Sequence, residues 1–241
     1  MPNQKLSFVF SFLVFSVLLI LTICALSGNR LFLSAKTSNS VPTAPSVTVI
    51  LDPGHGGEDG GANNGTVYEK DLNLSIAMET AELLRLNGIS VICTRTEDIL
   101  LYDKNTDYKG RKKILDLAAR LKISRETASS VFVSIHMNAF PQTQYQGLQV
   151  YYSDNDHRSS VLAQSIQEST KMLLQNGNNR KIKKAGSNIF LLDRIQTPAV
   201  LVECGFLSNT EECEKLASTE YRKKLSLILT NAIVQFVENT Y

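Results

Sequence analysis

Histidine is scarce in this chain, three residues in 241, and one of them sits in an unusual setting. His55 lies within Leu51-Asp52-Pro53-Gly54-His55-Gly56-Gly57-Glu58-Asp59-Gly60-Gly61, directly after the hydrophobic run Val47–Leu51. Glycines on both sides leave a bare backbone that a metal or ligand can approach closely. Three further residues suit the same chemistry. Glu69 opens an amphipathic stretch fourteen positions later, His136 follows the apolar run Val131–Ile135, and Glu203 follows Ala199-Val200-Leu201-Val202.

Two neutral imidazoles and one carboxylate form a common ligand set for a catalytic zinc, with one position open to water. Zinc in such a setting lowers the pKa of water to about 7 and polarises a carbonyl. Asp52, Glu58, Asp59, Glu69 and Asp71 all lie near His55, so spacing alone does not fix the carboxylate. Glu69 is preferred because it stands where a polar loop, Gly60–Thr66, meets a helix, and that loop can fold it back toward His55. Glu203 suits a proton carrier, since an acid ending an apolar strand is partly desolvated and its pKa rises into a useful range. Each residue taken alone has a plainer role. His55 fits a turn, His136 a satisfied core position, and Glu203 a structural acid paired with Arg95 or Arg111. A phosphate loop is a poor fit, because the spacing is not GxGxxG, no lysine follows, and acids stand nearby. His157, in Asp154-Asn155-Asp156-His157-Arg158, reads as exposed loop.

The elements that must position these residues alternate. Strands are expected at Val47–Leu51, Ile89–Thr94, Val131–Ile135, Leu148–Tyr152, Asn188–Leu192 and Ala199–Val202. Helices are expected over Asp71–Leu86 (apolar at Leu74, Ala77, Met78, Ala81 and Leu84), around Ile114–Leu121, over Ser159–Leu174 (Leu162, Ile166, Leu173), and at the end through Leu225, Ile228, Leu229, Ala232, Ile233 and Phe236. Ser208-Asn209-Thr210-Glu211 resembles a capping box opening a short helix. The polar, basic run Asn176–Gly186 reads as a mobile surface loop. The pattern predicts an α/β, three-layer domain with a mostly parallel or mixed central sheet of about six strands flanked by helices. Open α/β sheets place sites at the carboxyl ends of strands, where His55, His136 and Glu203 all fall.

The N-terminus is set apart. Residues 6–26 carry no charge and are nearly all apolar, a length that suits a membrane anchor, while Ala25-Leu26-Ser27 also allows a cleaved signal. Ile23 is too large for the position before a lipid-modified cysteine at Cys24. Either outcome exports the remainder. Residues 1–36 are assigned to this segment, 37–46 to a linker with Pro42 and Pro45, and 47–241 to one catalytic domain. Losing Lys5, Arg30 and Lys36 turns a net charge of +2 into −1, too little positive charge for nucleic-acid binding. Cys24, Cys93, Cys204 and Cys213 show no metal-ligand spacing and read as small buried hydrophobes.

Four stretches in order carry a family resemblance: Leu51–Gly57, Glu69, Ser134-Ile135-His136-Met137-Asn138-Ala139, and Val202-Glu203-Cys204-Gly205-Phe206-Leu207-Ser208-Asn209. They resemble the motifs of the zinc-dependent N-acetylmuramoyl-L-alanine amidases, and the resemblance covers the chain from about Val47 to its end. It implies one Zn2+ held by His55, Glu69 and His136, with Glu203 as catalytic acid/base. It also implies cleavage of the amide between the lactyl group of muramic acid and the L-alanine of the stem peptide in peptidoglycan. The glycines would then admit a bulky glycan-peptide. The layout, an anchor or signal with one catalytic domain and no long insertion, is similar to the sporulation and germination-specific members. Those act in the spore cortex, in formation of muramic δ-lactam. This implies an exported enzyme, possible in the forespore intermembrane space, and an accessory protein as partner. A vegetative wall amidase, a metallo-carboxypeptidase acting on stem peptides and an idle wall-binding protein are the alternatives.

Overall fold

The computed structural model describes residues 47–102, 105 and 109–241. The expected anchor, its cleavage site, Cys24 and the linker lie outside the described residues. Among the described residues, no helix is long and apolar enough to cross a membrane.

Six strands form one sheet: β1 (Thr48–Pro53), β2 (Ser90–Cys93), β3 (Ser130–Asn138), β4 (Gln149–Tyr152), β5 (Lys183–Lys184) and β6 (Ala199–Phe206). Their order is β2-β1-β3-β6-β4-β5. All neighbours run parallel except β4 and β6, which are antiparallel. The three-layer α/β expectation holds, with a mixed sheet.

Side chains alternate across the sheet with period two. Val49, Leu51, Val131, Val133, Ile135, Val200 and Val202 face one core, which α1 (Glu69–Leu86), α3 (Arg158–Leu173) and α6 (Thr219–Thr240) cover. Ile50, Phe132 and Ala199 face a smaller core on the opposite side, closed by α2 (Lys112–Glu126) and the short α4 (Phe190–Arg194). By the same alternation, Asp52, His136, Glu203, Gln149 and Tyr151 belong to that second face. The core there lies at the amino-terminal half of β3 and β6, whereas His136, Glu203 and Tyr151 are only partly covered.

Several elements differ from expectation for identifiable reasons. Asn188–Leu192 is not a strand: Phe190–Arg194 is one helical turn, and its adjacent Leu191 and Leu192 both pack into the second core. The supposed mobile loop Asn176–Gly186 contributes the sixth strand, with Lys183 and Lys184 registered against Tyr151 and Tyr152. Lysines on an edge strand discourage further pairing. In α1 the buried stripe is Leu72, Ile76, Ala77, Ala81 and Leu84, rotated from the expected face because the helix packs on both the sheet and α6. Leu173 is exposed, at the end of α3. In α2, Ile114 is exposed and the buried residues include Asp116 and Arg120. The helix α5 (Thr210–Ala217) is capped by Asn209, whose side chain accepts from the Glu212 amide at 2.9 Å, one residue later than the capping-box reading. Cys204 and Cys213 are buried free thiols and Cys93 is partly buried.

Candidate active site

The Gly-rich loop leaves β1 at Pro53 and turns sharply, with His55 at φ 62°. A non-glycine residue in this left-handed region costs on the order of 1–2 kcal/mol, so something must hold it there. Two buried guanidiniums do. Arg120 donates to the carbonyls of Pro53 at 2.8 Å and His55 at 2.7 Å. Arg95 donates to Pro53 at 2.9 Å and Gly54 at 3.0 Å. Arg120 is in turn anchored by Asp52 at 2.6 Å and Asp116 at 2.8 Å. The Asp52 carboxylate also accepts from Thr94 and Ser134 at 2.7 and 2.6 Å. Burial pushes the Asp52 carboxyl up, but Arg120 and these donors outweigh it and hold it below its ordinary range. Asp52 is therefore spent on structure. Arg95 gives its donors to backbone carbonyls and does not pair with Glu203. Arg111 is exposed ahead of α2.

Glu69 is the first residue of α1, where the helix dipole favours an acid. The short Asn63–Tyr68 bridge folds the preceding loop back, so its carboxylate reaches the histidines. Oε1 lies 3.2 Å from His55 Nε2 and 2.9 Å from His136 Nδ1. The Met137 amide donates to Oε1 at 3.0 Å and the Ala62 amide to Oε2 at 2.7 Å. Burial alone would raise this carboxyl; the two imidazoles drive it far below the usual carboxylate range. Among the described residues, His55, Glu69 and His136 are the group whose donor atoms gather within 4.8 Å of one another. The two rings meet edge-on, 5.0 Å between centroids. Glu58 instead pairs with Lys112 at the surface, and Asp71 is exposed.

Asp59 lies 3.0 Å from His55 Nδ1, off the line of a hydrogen bond. Its charge favours the proton on Nδ1 and leaves Nε2 facing Glu69. Burial depresses the His55 pKa, but Glu69 and Asp59 more than offset this and raise it.

Two of the glycines have a further use inside the fold. A Cβ on Gly54 would stand 2.2 Å from the His136 ring, and one on Gly61, at φ 67°, would stand 2.4 Å from Glu69 Oε2. These two glycines make room for the protein's own imidazole and carboxylate.

Glu203 sits opposite His136 in the parallel β3–β6 register, just before a bulge that ends regular pairing at Asn138 and Phe206. No cation of the described residues lies within 4.0 Å of it, and its Oε2 is buried with no hydrogen-bond partner. Burial, reinforced by the Glu69 charge and partly offset by His136 and His55, leaves its pKa pushed up to about 7. His157, by contrast, is 92% exposed. Reading the sequence missed Arg120, named Arg95 only as a partner for Glu203 and named Asp59 only as a candidate ligand. For Arg120 a signal existed: Asp116 and Arg120 are spaced i,i+4 on a helix.

Residues 49–235 match the family model described as N-acetylmuramoyl-L-alanine amidase. The germination-specific N-acetylmuramoyl-L-alanine amidase of Bacillus subtilis is 34% identical over 188 residues, 78% of each chain. The CwlD amidase from Clostridioides difficile, solved in complex with the GerS lipoprotein, is 38% identical with a TM-score of 0.75, over 80% of this chain and 98% of that one. The amidase AmiC2 of Nostoc punctiforme is 28% identical with a TM-score of 0.69, over 80% and 98%. The extent of the family match, together with that likeness in fold, places the chain among the N-acetylmuramoyl-L-alanine amidases.

Proposed function

We propose that this chain hydrolyses the amide between the lactyl group of N-acetylmuramic acid and L-alanine, with zinc held by His55, Glu69 and His136 and with Glu203 carrying the proton. The observation that carries this reading is Glu203 Oε2, a buried acceptor with no partner, on the strand position opposite His136. A buried carboxylate oxygen left unmet is costly, and a reacting proton is what would meet it. The donor set fits the metal: two imidazoles and one carboxylate suit zinc, whereas calcium and magnesium favour all-oxygen shells. Glu69 is held ionised and fixed by backbone amides, as a ligand must be.

Zinc bound there supplies a Lewis acid for the lactyl carbonyl and makes water nucleophilic near neutral pH. Glu203 accepts a proton from the attacking water and returns it to the departing alanine nitrogen. A pKa of about 7 lets one carboxyl serve both steps at neutral pH. The Asp59 carboxylate keeps His55 oriented, and the Arg95 and Arg120 guanidiniums keep its loop from relaxing.

The substrate we assign is spore-cortex peptidoglycan, processed outside the cytoplasm by a domain spanning 47–241 behind an N-terminal anchor or signal. Likeness to a germination-specific amidase supports this assignment. Likeness to an amidase solved with a lipoprotein supports an accessory protein as partner. The test is a peptidoglycan digest read by mass spectrometry, with and without a chelator. Released intact stem peptides and free muramic lactyl groups, lost on chelation, are expected. Shortened stems would point to a carboxypeptidase, and no cleavage to an idle binder. Muramic δ-lactam in spores lacking the chain would decide for or against the cortex.

A further inference from the structure

The basic run Asn176–Gly186 is not used by the chemistry above, yet the fold places it beside the site. Gln149 on β4 is registered directly opposite Glu203 on β6. Arg180, just before β5, donates from Nη1 to Gln149 Oε1 at 3.2 Å and from Nε to the Gln146 carbonyl at 2.7 Å. Its guanidinium lies over the Phe206 ring, 4.5 Å from the centroid, and 5.8 Å from that of Tyr145. The arginine is thus held in one pose. A guanidinium has five N–H donors, and two are spent here, so three have no acceptor among the described residues. No carboxylate of the described residues forms an ion pair with Arg180 within 4.0 Å, although its charge reaches the Glu212 carboxyl, and the neighbouring Lys184 is neutralised by Asp154 at 2.5 Å. Arg180 also borders a cavity of about 650 Å³ shared with Tyr145, Gln175, Asn178, Tyr221, Lys215 and Glu212, whose carboxylate is taken up by the Gly147 and Phe206 amides. That size suits a short peptide.

We propose that Arg180 and this cavity form a subsite for a carboxylate of the stem peptide, on the amine side of the scissile amide. The proposal rests on the hydrolysis and the roles assigned above. Strand order supplies the direction. His136 is on β3, Glu203 on β6, Gln149 on β4 and Arg180 at the entry to β5, so the series runs outward from the metal ligands past the proton carrier. The acyl group belongs at the metal and the amine at Glu203, so the peptide continues toward Gln149. Adjacent strands are about 5 Å apart. The guanidinium therefore stands roughly two to three residues of extended peptide beyond Glu203. In a stem peptide, free carboxylates occur on the D-glutamate in second position and, in many walls, on the diamino acid in third. A planar fork held ready for a planar carboxylate is the strong form of charge-assisted recognition.

The experiment measures binding of synthetic muramoyl tripeptides to the zinc-loaded full chain carrying Glu203→Gln, so that the ligand stays intact. Four ligands are compared: both carboxylates free, each amidated singly, and both amidated. The free-acid ligand is expected to bind roughly tenfold more tightly than the doubly amidated one. Arg180→Ala and the polar, uncharged Arg180→Gln should erase that ratio while leaving the doubly amidated ligand within twofold. Lys183→Ala should leave the ratio unchanged within twofold. The singly amidated ligands identify which carboxylate is read. A ratio near one in the parent, equal loss on all ligands in both Arg180 variants, or equal loss in Lys183→Ala would overturn the subsite. Product release by the unsubstituted chain is scored separately. A chain that cleaves but shows no charge preference loses the subsite and keeps the hydrolysis. One that shows the preference and does not cleave keeps the subsite and loses the hydrolysis.

Discussion

His136 and Glu203 occupy matched positions on adjacent parallel strands, and their side chains rise from the same face of the sheet. One holds a position beside Glu69; the other carries an oxygen with no partner. Their separation is set by main-chain pairing between the two central strands of the sheet. Parallel pairing therefore fixes the spacing between the carboxyl to which the proton is assigned and the imidazole to which the metal is assigned.

Glu203→Gln should leave zinc content at one per chain and lower turnover by about 10²–10⁴-fold, the usual worth of a general acid/base. Metal analysis beside initial rates on muropeptides checks this. Loss of metal together with activity would instead assign Glu203 to the ligand set.

The same variant should stabilise the metal-free protein in a pH-dependent way. The folded pKa of Glu203, about 7, exceeds the ordinary 4.5. Folding therefore favours the protonated acid, and the cost of keeping Glu203 appears as pH rises from about 4.5 and is complete above about 7. The stability gained by Glu203→Gln should be small at pH 4 and reach as much as about 3 kcal/mol at pH 8. Denaturant titrations of both proteins in chelator would reveal it, and a pH-independent difference would contradict it.

Gly54→Ala should disturb the ligand His136 without touching its chemistry. The new Cβ, 2.2 Å from the ring, forces the imidazole or the loop to move. Zinc affinity should fall by about tenfold or more, with about 1–3 kcal/mol lost from the metal-free fold through overpacking. Competition against a chelating dye measures the first and thermal unfolding the second.

Asp59→Asn keeps the shape and removes the charge facing His55 Nδ1. A drop in zinc affinity of about 10–100-fold is expected, the usual effect of losing an outer partner of a metal-bound histidine. An unchanged affinity would show that the ring is held by packing alone.

Arg120→Met should be among the most damaging changes outside the His55, Glu69 and His136 set. It strands the buried Asp52 and Asp116 carboxylates and frees the carbonyls of Pro53 and His55. Breaking a buried pair from one side costs about 3–5 kcal/mol. Adding Asp52→Asn should recover part of that loss, because the uncompensated charge is then gone. Equilibrium unfolding of the single and double variants gives the comparison.

The sequence by itself determined a great deal about this protein. Alternating apolar runs and helical stripes specify an α/β sheet, because burial follows local periodicity. Histidines and acids after those runs point to the carboxyl-terminal halves of strands, although β3 runs on to Asn138 past His136 and β6 to Phe206 past Glu203. The four motif stretches carry the family. Tertiary structure alone decided the rest, because the deciding contacts join distant segments. Asp52 and Glu69 are both acids near His55 in sequence; only the meeting of Arg120 with Asp52, 68 positions apart, commits one to structure and leaves the other facing both imidazoles. Gly54 looks like room for a ligand until His136 is seen filling it. Lys183 and Lys184 are a polar loop by composition and a strand by pairing, since Tyr151 and Tyr152 offer the edge they need. The pKa of Glu203 belongs to the same class: its value comes from burial and the charges of Glu69, His55 and His136, which only the folded sheet brings to one place.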